Sequence, residues 1–126
     1  MFKKLWHIYC ILTVLLMLFS SHPYAGAAAP GSPAGLTAIA GNGEASLTWD
    51  TVPGATRYLL YRGTASGGPY SFVAETEGTG YLDHGLGNGS TYYYVVTALN
   101  ADGQSSSSSQ VNVTPKATVL KAPTGL

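Results

Sequence analysis

From Pro33 onward the chain consists of short apolar stretches with a period of two residues, separated by glycine, proline, asparagine and aspartate. In the stretch EASLTW, for example, Ala45, Leu47 and Trp49 alternate with polar residues. Such alternation places apolar side chains on one face of a strand and polar side chains on the other. No helical periodicity of useful length occurs in this part of the chain. The pattern therefore predicts a small all-β domain, either a sandwich or a barrel.

About seven strands are expected in this region, which is the number that a small β-sandwich needs. Six of them have bounds in the sequence, namely the strand that ends at Trp49 and those at 57–62, 70–75, 80–83, 91–100 and 110–114. Turn residues separate them at 51–54, 64–69, 86–89 and 100–103. The stretch 91–100, TYYYVVTALN, is the richest in aromatic and β-branched residues and is predicted to lie in the centre of its sheet. The serines at 105–109 are predicted to form an exposed loop and edge.

The first 27 residues have the layout of a secretory signal peptide, with two lysines before an apolar run at 5–19 and small residues after it. A spanning helix needs about 20 apolar residues, and this run is shorter. A cleaved helical leader, in contact with the membrane only during export, is therefore favoured over a retained anchor. Cleavage after Ala27 or after Ala29 fits, and the first is preferred because Pro30 would otherwise follow the cut bond directly.

Removal of this leader would also change the chemistry of the chain. The only cysteine, Cys10, lies inside the apolar run, so the exported domain is expected to have neither a disulfide nor a cysteine metal site. From residue 28 onward there are four basic and six acidic residues, a net charge of −2. No basic patch is present, which argues against nucleic acid as a partner.

Few residues in the expected domain could carry catalysis. His84 is its only histidine and follows Asp83 directly, and neighbours on a strand point to opposite faces, so the pair is a poor acid–base relay. Glu75 and Glu77 stand beside a glycine and fit a solvated turn better than a pair of catalytic carboxylates. The sequence predicts no active site, no metal site and no cofactor.

The order and spacing of these signals resemble the fibronectin type III module, a seven-stranded immunoglobulin-like sandwich of two antiparallel sheets. The resemblance rests on PAGL at 33–36, SLTW at 46–49, PGATRYLLYR at 53–62, GYLDHGL at 80–86 and NGSTYYYVVTALNADG at 88–103. It covers residues 33–115, and residues 28–32 are expected to form a short spacer. The resemblance also implies that Tyr92 is the tyrosine corner of the family, whose hydroxyl hydrogen-bonds to the backbone a few residues upstream.

The alternation also divides the strands into a core face and an outer face. The residues expected in the core are Trp49, Tyr58, Leu60, Leu86, Tyr92, Tyr94 and Val96. The resemblance makes the strands at 57–62 and 91–100 neighbours, and it implies an outward apolar patch of Leu59, Tyr61, Tyr93 and Val95. Cross-strand pairing that only stabilises the sheet is one explanation of this patch. A contact site for a neighbouring module or for carbohydrate is the alternative.

The last six residues, KAPTGL, resemble the stretch GSPAGL near the beginning of the predicted domain. Pro123, Gly125 and Leu126 each lie 90 residues after their counterparts Pro33, Gly35 and Leu36. An offset of this length is the size of a small domain. It predicts that 123–126 begin a second module of the same type, after a linker at 116–122.

The expected function is that of a non-catalytic spacer or presentation module in a secreted, extracellular multidomain protein. The stretches at 61–75 and 91–103 resemble bacterial type III modules attached to extracellular polysaccharide-degrading enzymes, which implies a carbohydrate-active parent protein. The alternative is a cell-surface adhesion or carbohydrate-binding module that uses the outward aromatic face. The expected partners are the neighbouring domains of the same polypeptide, with polysaccharide as the alternative partner.

Overall fold

The structure, a computed structural model, describes residues 28–118. The expected leader at 1–27, the linker from residue 119 on and the expected start of a second module at 123–126 lie outside the described residues. The described part contains β1 (Thr37–Gly41), β2 (Glu44–Thr48), β3 (Arg57–Gly63), β4 (Ser71–Thr76), β5 (Gly80–Asp83), β6 (Tyr92–Asn100), β7 (Gly103–Gln104) and β8 (Val111–Val113).

These strands form two sheets in which every pair of neighbours is antiparallel. One sheet has the order β1-β2-β5, and the other has the order β4-β3-β6, with β7 and β8 both paired to the far side of β6. The predicted antiparallel all-β sandwich is confirmed. The structure has one strand more than expected, because the two-residue β7 pairs with β6 immediately after the turn at 101–102.

Strand β6 occupies the centre of the five-stranded sheet, as its aromatic and β-branched composition predicts. Its middle residues, 94–98, are all buried, whereas the edge strands β1 and β4 contain only exposed and half-buried residues. A strand that is covered on both faces and paired on both sides has no need for polar residues. This explains why its sequence does not alternate.

The core fills the space between the two sheets. Its buried side chains are Ala45, Leu47, Trp49, Val52, Tyr58, Leu60, Leu86, Tyr94, Val96, Ala98 and Val113. Of the residues expected in the core, Tyr92 is the one that remains half-buried, packed against the edge of this cluster. The rings of Trp49 and Tyr58 lie 5.6 Å apart between centroids, and the Tyr58 hydroxyl accepts a hydrogen bond from the Val52 amide at 2.8 Å.

The serine run closes the edge of β6 between β7 and β8. Ser105 donates its amide to the Ala98 carbonyl, and its hydroxyl accepts from the Ala98 amide, both at 2.8 Å. Ser108 repeats this arrangement with Val96, at 2.8 Å and 3.0 Å. The run is therefore not simply an exposed loop, because Ser108 is buried and both hydroxyls replace backbone carbonyls in the ladder.

The loops gather at two poles of the sandwich. The N-terminal pole contains residues 28–36, the loop at 49–56, the turn at 77–79 and the turn at 101–102. The C-terminal pole contains the turn at 42–43, the loop at 64–70, the loop at 84–91 and residues 114–118. Residues 28 and 118, the two ends of the described chain, therefore lie at opposite poles.

Residues 28–32, expected as a spacer, lie against the sandwich. The side-chain amide of Asn100 donates to the Ala28 carbonyl at 3.0 Å, and the Ser32 hydroxyl donates to the Ser107 carbonyl at 2.8 Å. Pro30 is buried in the same segment. The packed part of the chain thus begins at least five residues before Pro33, the residue at which the resemblance begins.

Candidate functional site

The outer face of the five-stranded sheet carries the residues that were expected to form an aromatic patch. Tyr61 of β3 lies opposite Val95 of β6, and Tyr93 of β6 lies opposite Gly63 at the end of β3. Leu59 is two residues before Tyr61 on β3 and shares its face. Leu59, Tyr61 and Tyr93 are half-buried. The structure therefore brings these three side chains onto one surface.

Val95 does not contribute to that surface, although it was expected there. It lies on the outer side of β6, but only 5% of it is exposed. Because β6 is central, Val95 is flanked by side chains of the strands on both sides, including the large ring of Tyr61 directly opposite. Val95 is thus part of the packing beneath the surface.

Phe72 joins the surface, and the sequence analysis missed it. It lies opposite Tyr61 across β3 and β4, is 58% exposed, and its ring meets the Tyr61 ring edge-on at 6.0 Å and 74°. A register shift in the β3–β4 pairing follows Leu60, so the alternation of β4 does not simply mirror that of β3. Leu59, Tyr61, Phe72 and Tyr93 are called the aromatic patch below.

The aromatic patch is bordered by groups that fix its position. The Gln104 side-chain amide donates to the Tyr61 hydroxyl at 3.0 Å and to the Thr97 hydroxyl at 2.8 Å. At the end of the patch near Gly63, a Cβ on this residue would lie 2.6 Å from the Pro69 carbonyl oxygen. Only glycine therefore allows the loop after β3 to pass this close to the strand. Tyr61 is therefore held by its sheet both through its ring and through its hydroxyl.

The second notable arrangement is a buried polar contact between the two sheets. Arg62 of β3 and Tyr94 of β6 are partners in the same sheet, and Asp83 ends β5 in the other sheet. The Arg62 guanidinium donates to Asp83 Oδ2 at 2.6 Å, and the Tyr94 hydroxyl donates to the same oxygen at 2.7 Å. The side chain of Arg62 is 34% exposed and that of Asp83 only 7%. These three residues are called the polar bridge.

The electrostatics of the polar bridge favour one fixed set of protonation states. Burial of the Arg62 guanidinium lowers its pKa, but the hydrogen bond to Asp83 and the charge of Asp83 outweigh burial, so the net change raises this pKa. Burial, and then the hydrogen bond to Asp83, raise the pKa of the Tyr94 hydroxyl well above its ordinary value. The bridge is therefore a salt bridge with a neutral phenol as second donor, which suits a structural link between sheets rather than proton transfer.

Tyr92 extends this contact towards the C-terminal pole. The Arg62 guanidinium carbon lies 5.7 Å from the centroid of the Tyr92 ring, a distance at which a cation attracts an aromatic ring. The Tyr92 hydroxyl accepts a hydrogen bond from the Gly87 amide at 2.8 Å, five residues upstream. This is the type of contact that the resemblance implies for a tyrosine corner.

The remaining candidates for chemistry are separated in space. Asp83 points into the sandwich, whereas the His84 side chain is 68% exposed and lies 3.6 Å from a Glu44 carboxylate oxygen. Glu75 binds Arg57 at 2.5 Å in an exposed ion pair, and Glu77 is exposed nearby. Glu75 and Glu77 line one open surface pocket together with Arg57 and Thr76, whereas Asp83 and His84 do not share it.

Among residues 28–118, no three His, Cys, Asp or Glu side chains come together in a way that could hold a metal ion. The same part of the chain contains no helix with the length and hydropathy needed to cross a membrane.

Comparison with solved structures identifies the family. A Fn3-like protein from Clostridium thermocellum is 36% identical in sequence and superposes with a TM-score of 0.64, over 75% of this chain and 99% of that chain. The chain belongs to the fibronectin type III family. No family model matches the chain. The match extends over nearly the whole of that separately solved chain.

Comparison with curated proteins places similar modules in large enzymes. The chain is 41% identical over 83 residues to an amylopullulanase from Thermoanaerobacter thermohydrosulfuricus, which covers 64% of this chain but 6% of the enzyme. It is 36% identical over 87 residues to a poly(3-hydroxybutyrate) depolymerase from Ralstonia pickettii, covering 68% of this chain and 17% of that enzyme. The chain thus matches only a small part of each relative. As a fibronectin type III domain of this kind, it is a non-catalytic module.

Proposed function

We propose that the chain is a spacer module of a secreted multidomain enzyme that degrades a polymer, most specifically a polysaccharide. The observation that carries the proposal is the match of one fibronectin type III module to small parts of two much larger enzymes. One of these is named for a polysaccharide-degrading activity and the other for a polyester. A module shared by enzymes with such different substrates fits a role in spacing or presenting domains better than recognition of one substrate.

The geometry of the aromatic patch supports the same choice. A sugar-binding platform needs aromatic faces that are open to solvent and aligned along the chain of sugar rings. The rings of Tyr61 and Phe72 are instead inclined at 74° to each other, and Tyr61 is half-buried with its hydroxyl already bonded to Gln104. These contacts are what cross-strand stabilisation of a sheet requires.

The remaining parts of the proposal concern the chain around the module. The leader at 1–27 directs export, the fibronectin type III domain covers 33–115, and a second module begins near residue 123. The neighbouring domains of the same polypeptide are the partners. The two poles of the sandwich support this arrangement, because a chain that passes through the module is carried from one end to the other.

A binding experiment tests the spacer role against carbohydrate recognition. We expect the purified chain to show no retardation in affinity electrophoresis through gels that contain pullulan or soluble starch. Replacing both Tyr61 and Tyr93 by serine should leave this mobility unchanged and should lower stability by about 0.2 to 1 kcal/mol for each cross-strand pair lost.

Leu82→Ser provides a matched control, since Leu82 is a 40% exposed apolar residue on the other sheet. Suppose that the original chain and Leu82→Ser are both retarded while the folded Tyr61, Tyr93 double variant migrates freely. The aromatic patch would then be a carbohydrate-binding site, and the adhesion or carbohydrate-binding alternative would replace the spacer role.

A further inference from the structure

We propose that the C-terminal pole is an interface for the next module of the same type, and that only one residue, Ala117, joins the two. This inference rests on the proposed tandem arrangement and goes beyond it. It assigns a contact surface where the repeat alone implies only a short linker. It follows from three observations, which are a fixed C-terminal segment, a fixed N-terminal segment and the length of the repeat.

The first observation is that the chain is held beyond the end of β8. The Thr114 and Thr91 hydroxyls are hydrogen-bonded at 2.8 Å, and Pro115 is fully buried. The Pro115 carbonyl accepts from the Gly89 amide at 2.9 Å, and the Lys116 amide donates to the Gly41 carbonyl at 3.1 Å. Gly41 belongs to the three-stranded sheet, whereas β8 belongs to the other sheet, so both sheets hold the chain up to Lys116.

The turns that hold this segment are themselves bound to each other. The Asn88 side chain accepts from the Gly43 amide at 2.7 Å and donates to the Asn42 side chain at 2.9 Å. The Leu86 amide donates to the Gly43 carbonyl at 2.9 Å. The C-terminal pole is therefore a connected surface of turns rather than a set of independent loops, which is what a docking surface needs.

The second observation is that the module also holds its own N-terminal segment from Ala28 onward. Ala28 and Ser32 are hydrogen-bonded to Asn100 and to the Ser107 carbonyl, and Pro30 and Pro33 are buried. A second module with the same architecture would hold its preceding residues in the same way.

The third observation is the offset of 90 residues between Pro33 and Pro123. The same offset places Thr118 at the position of Ala28, and Leu120 at the position of the buried Pro30. Leu120 keeps the apolar character of that position. Ala122, in the position of Ser32, lacks the hydroxyl, so one of the two anchoring hydrogen bonds has no counterpart.

Together these observations leave little distance between the modules. The first module holds the chain through Lys116 and the second would hold it from Thr118. Consecutive Cα atoms are about 3.8 Å apart, so these two residues lie at most about 7 Å from each other. Two sandwiches joined so closely must bring their facing poles into contact.

The charges at the two poles suit this contact. Asp50, Glu77 and Asp102 are exposed at the N-terminal pole of this module. Lys116 is exposed at the C-terminal pole, where the Glu44 carboxylate lies beside His84. A second module with the same distribution would present carboxylates to the lysine, which favours end-to-end docking over repulsion.

A tandem protein tests the interface, made by joining the chain through Ala117 to a second copy of residues 28–118. In ¹⁵N relaxation measurements we expect both copies to share one rotational correlation time, longer than that of a single module. We also expect the amide signals of Asn42, Gly43 and His84 in the first copy to shift from their single-module positions. Inserting Gly-Gly-Ser after Ala117 should return those signals and shorten both correlation times.

Asn88→Ala in the first copy should reduce the shifts, because it loosens the turns, whereas Asn112→Ala, an exposed site on β8, should not. Two folded copies that tumble independently without the insertion would overturn the interface and leave the spacer role intact. A second copy that fails to fold beside a folded first copy would also overturn it, because a join through Ala117 would then be too short for two modules. Retention on a glycan would overturn the spacer role without affecting these signals.

Discussion

The interior of the sandwich differs between its two halves. Towards the N-terminal pole, Trp49 and Tyr58 fill the space between the sheets with aromatic volume. Towards the C-terminal pole, the two sheets are joined by the polar bridge of Arg62, Asp83 and Tyr94. Apolar packing stabilises by removing surface from water and has little directional preference, whereas a shared carboxylate fixes the distance and direction between its donors. We therefore expect the aromatic half to contribute more to stability and the polar bridge to fix how the sheets are aligned.

The largest effect is expected in the apolar half. Trp49→Ala should lower the free energy of unfolding by about 3 to 5 kcal/mol, because it leaves a large cavity between the sheets. Urea denaturation followed by circular dichroism measures this loss. Trp49→Phe is the control and should cost much less, since the indole N–H has no hydrogen-bond partner among the described residues. A loss below about 1 kcal/mol for Trp49→Ala would contradict a central role for this residue.

The polar half is expected to respond to the loss of one partner more than to the loss of both. Arg62→Met should cost about 2 to 4 kcal/mol, because the 7% exposed Asp83 carboxylate then keeps only the Tyr94 hydroxyl as a partner. Adding Asp83→Leu should restore part of this loss, since an apolar pair needs no compensation for buried charge. Urea denaturation of the single and double variants gives the coupling energy. If the two losses simply add, the polar bridge does not act as a unit.

The smallest effect concerns the Tyr94 hydroxyl and depends on pH. Its pKa is raised in the folded state, so its contribution to stability is complete below the unfolded value of about 10 and is lost as the pH rises further. We expect the stability of the protein to fall above pH 10 by about 1 kcal/mol per pH unit from this group. Tyr94→Phe should cost about 1 kcal/mol at neutral pH and should weaken the alkaline decline.

Thermal unfolding between pH 8 and 11 measures this decline. Tyr93→Phe is the matched control, because Tyr93 is adjacent on β6 but faces the outer side of the sheet. Its alkaline decline should equal that of the unsubstituted protein. An unchanged decline in Tyr94→Phe would show that the Tyr94 hydroxyl is not the source of the alkaline loss of stability.

The alternation in the sequence predicted the apolar half well, because burial there follows directly from strand period. Tyr58 and Leu60 lie two residues apart and point to the same face, and so do Leu47 and Trp49. The four side chains meet in the core. Alternation predicted an all-β sandwich or barrel, the family resemblance implied the two-sheet sandwich, and the composition of β6 predicted its central position. The local sequence was sufficient to predict these positions because β1 with β2, and β3 with β6, pair without a register shift.

The polar half was not predicted, although the sequence contained a signal for it. Arg62 lies two residues after Leu60 on β3 and therefore points inward with it. Asp83 lies two residues after Tyr81 on β5, and Tyr81 packs against the core. Opposite charges at inward positions on two different strands indicate a pair across the interior. Asp83 also precedes a turn, where aspartate is common on the surface. Because this local explanation was sufficient for Asp83, its pairing with Arg62 on another strand was not expected.

Irregular pairing explains the other differences. The register shift in β3–β4 brings Phe72 opposite Tyr61, and alternation counted from a regular ladder does not predict it. Val95 shares the outer face, but its burial depends on how large its neighbours on both sides are. The roles of Ser105 and Ser108 depend on hydrogen bonds to a strand reached only after the chain has turned back.

Those two serines have a consequence for the behaviour of the protein in concentrated solution. An edge strand with a continuous row of free amides and carbonyls can pair with the edge of another molecule and start an aggregate. Here the strand beside β6 is interrupted between β7 and β8, and serine hydroxyls occupy the Val96 and Ala98 amides. A foreign strand meets a broken, irregular backbone at this border of the sheet. Another molecule therefore cannot readily extend the five-stranded sheet from this border.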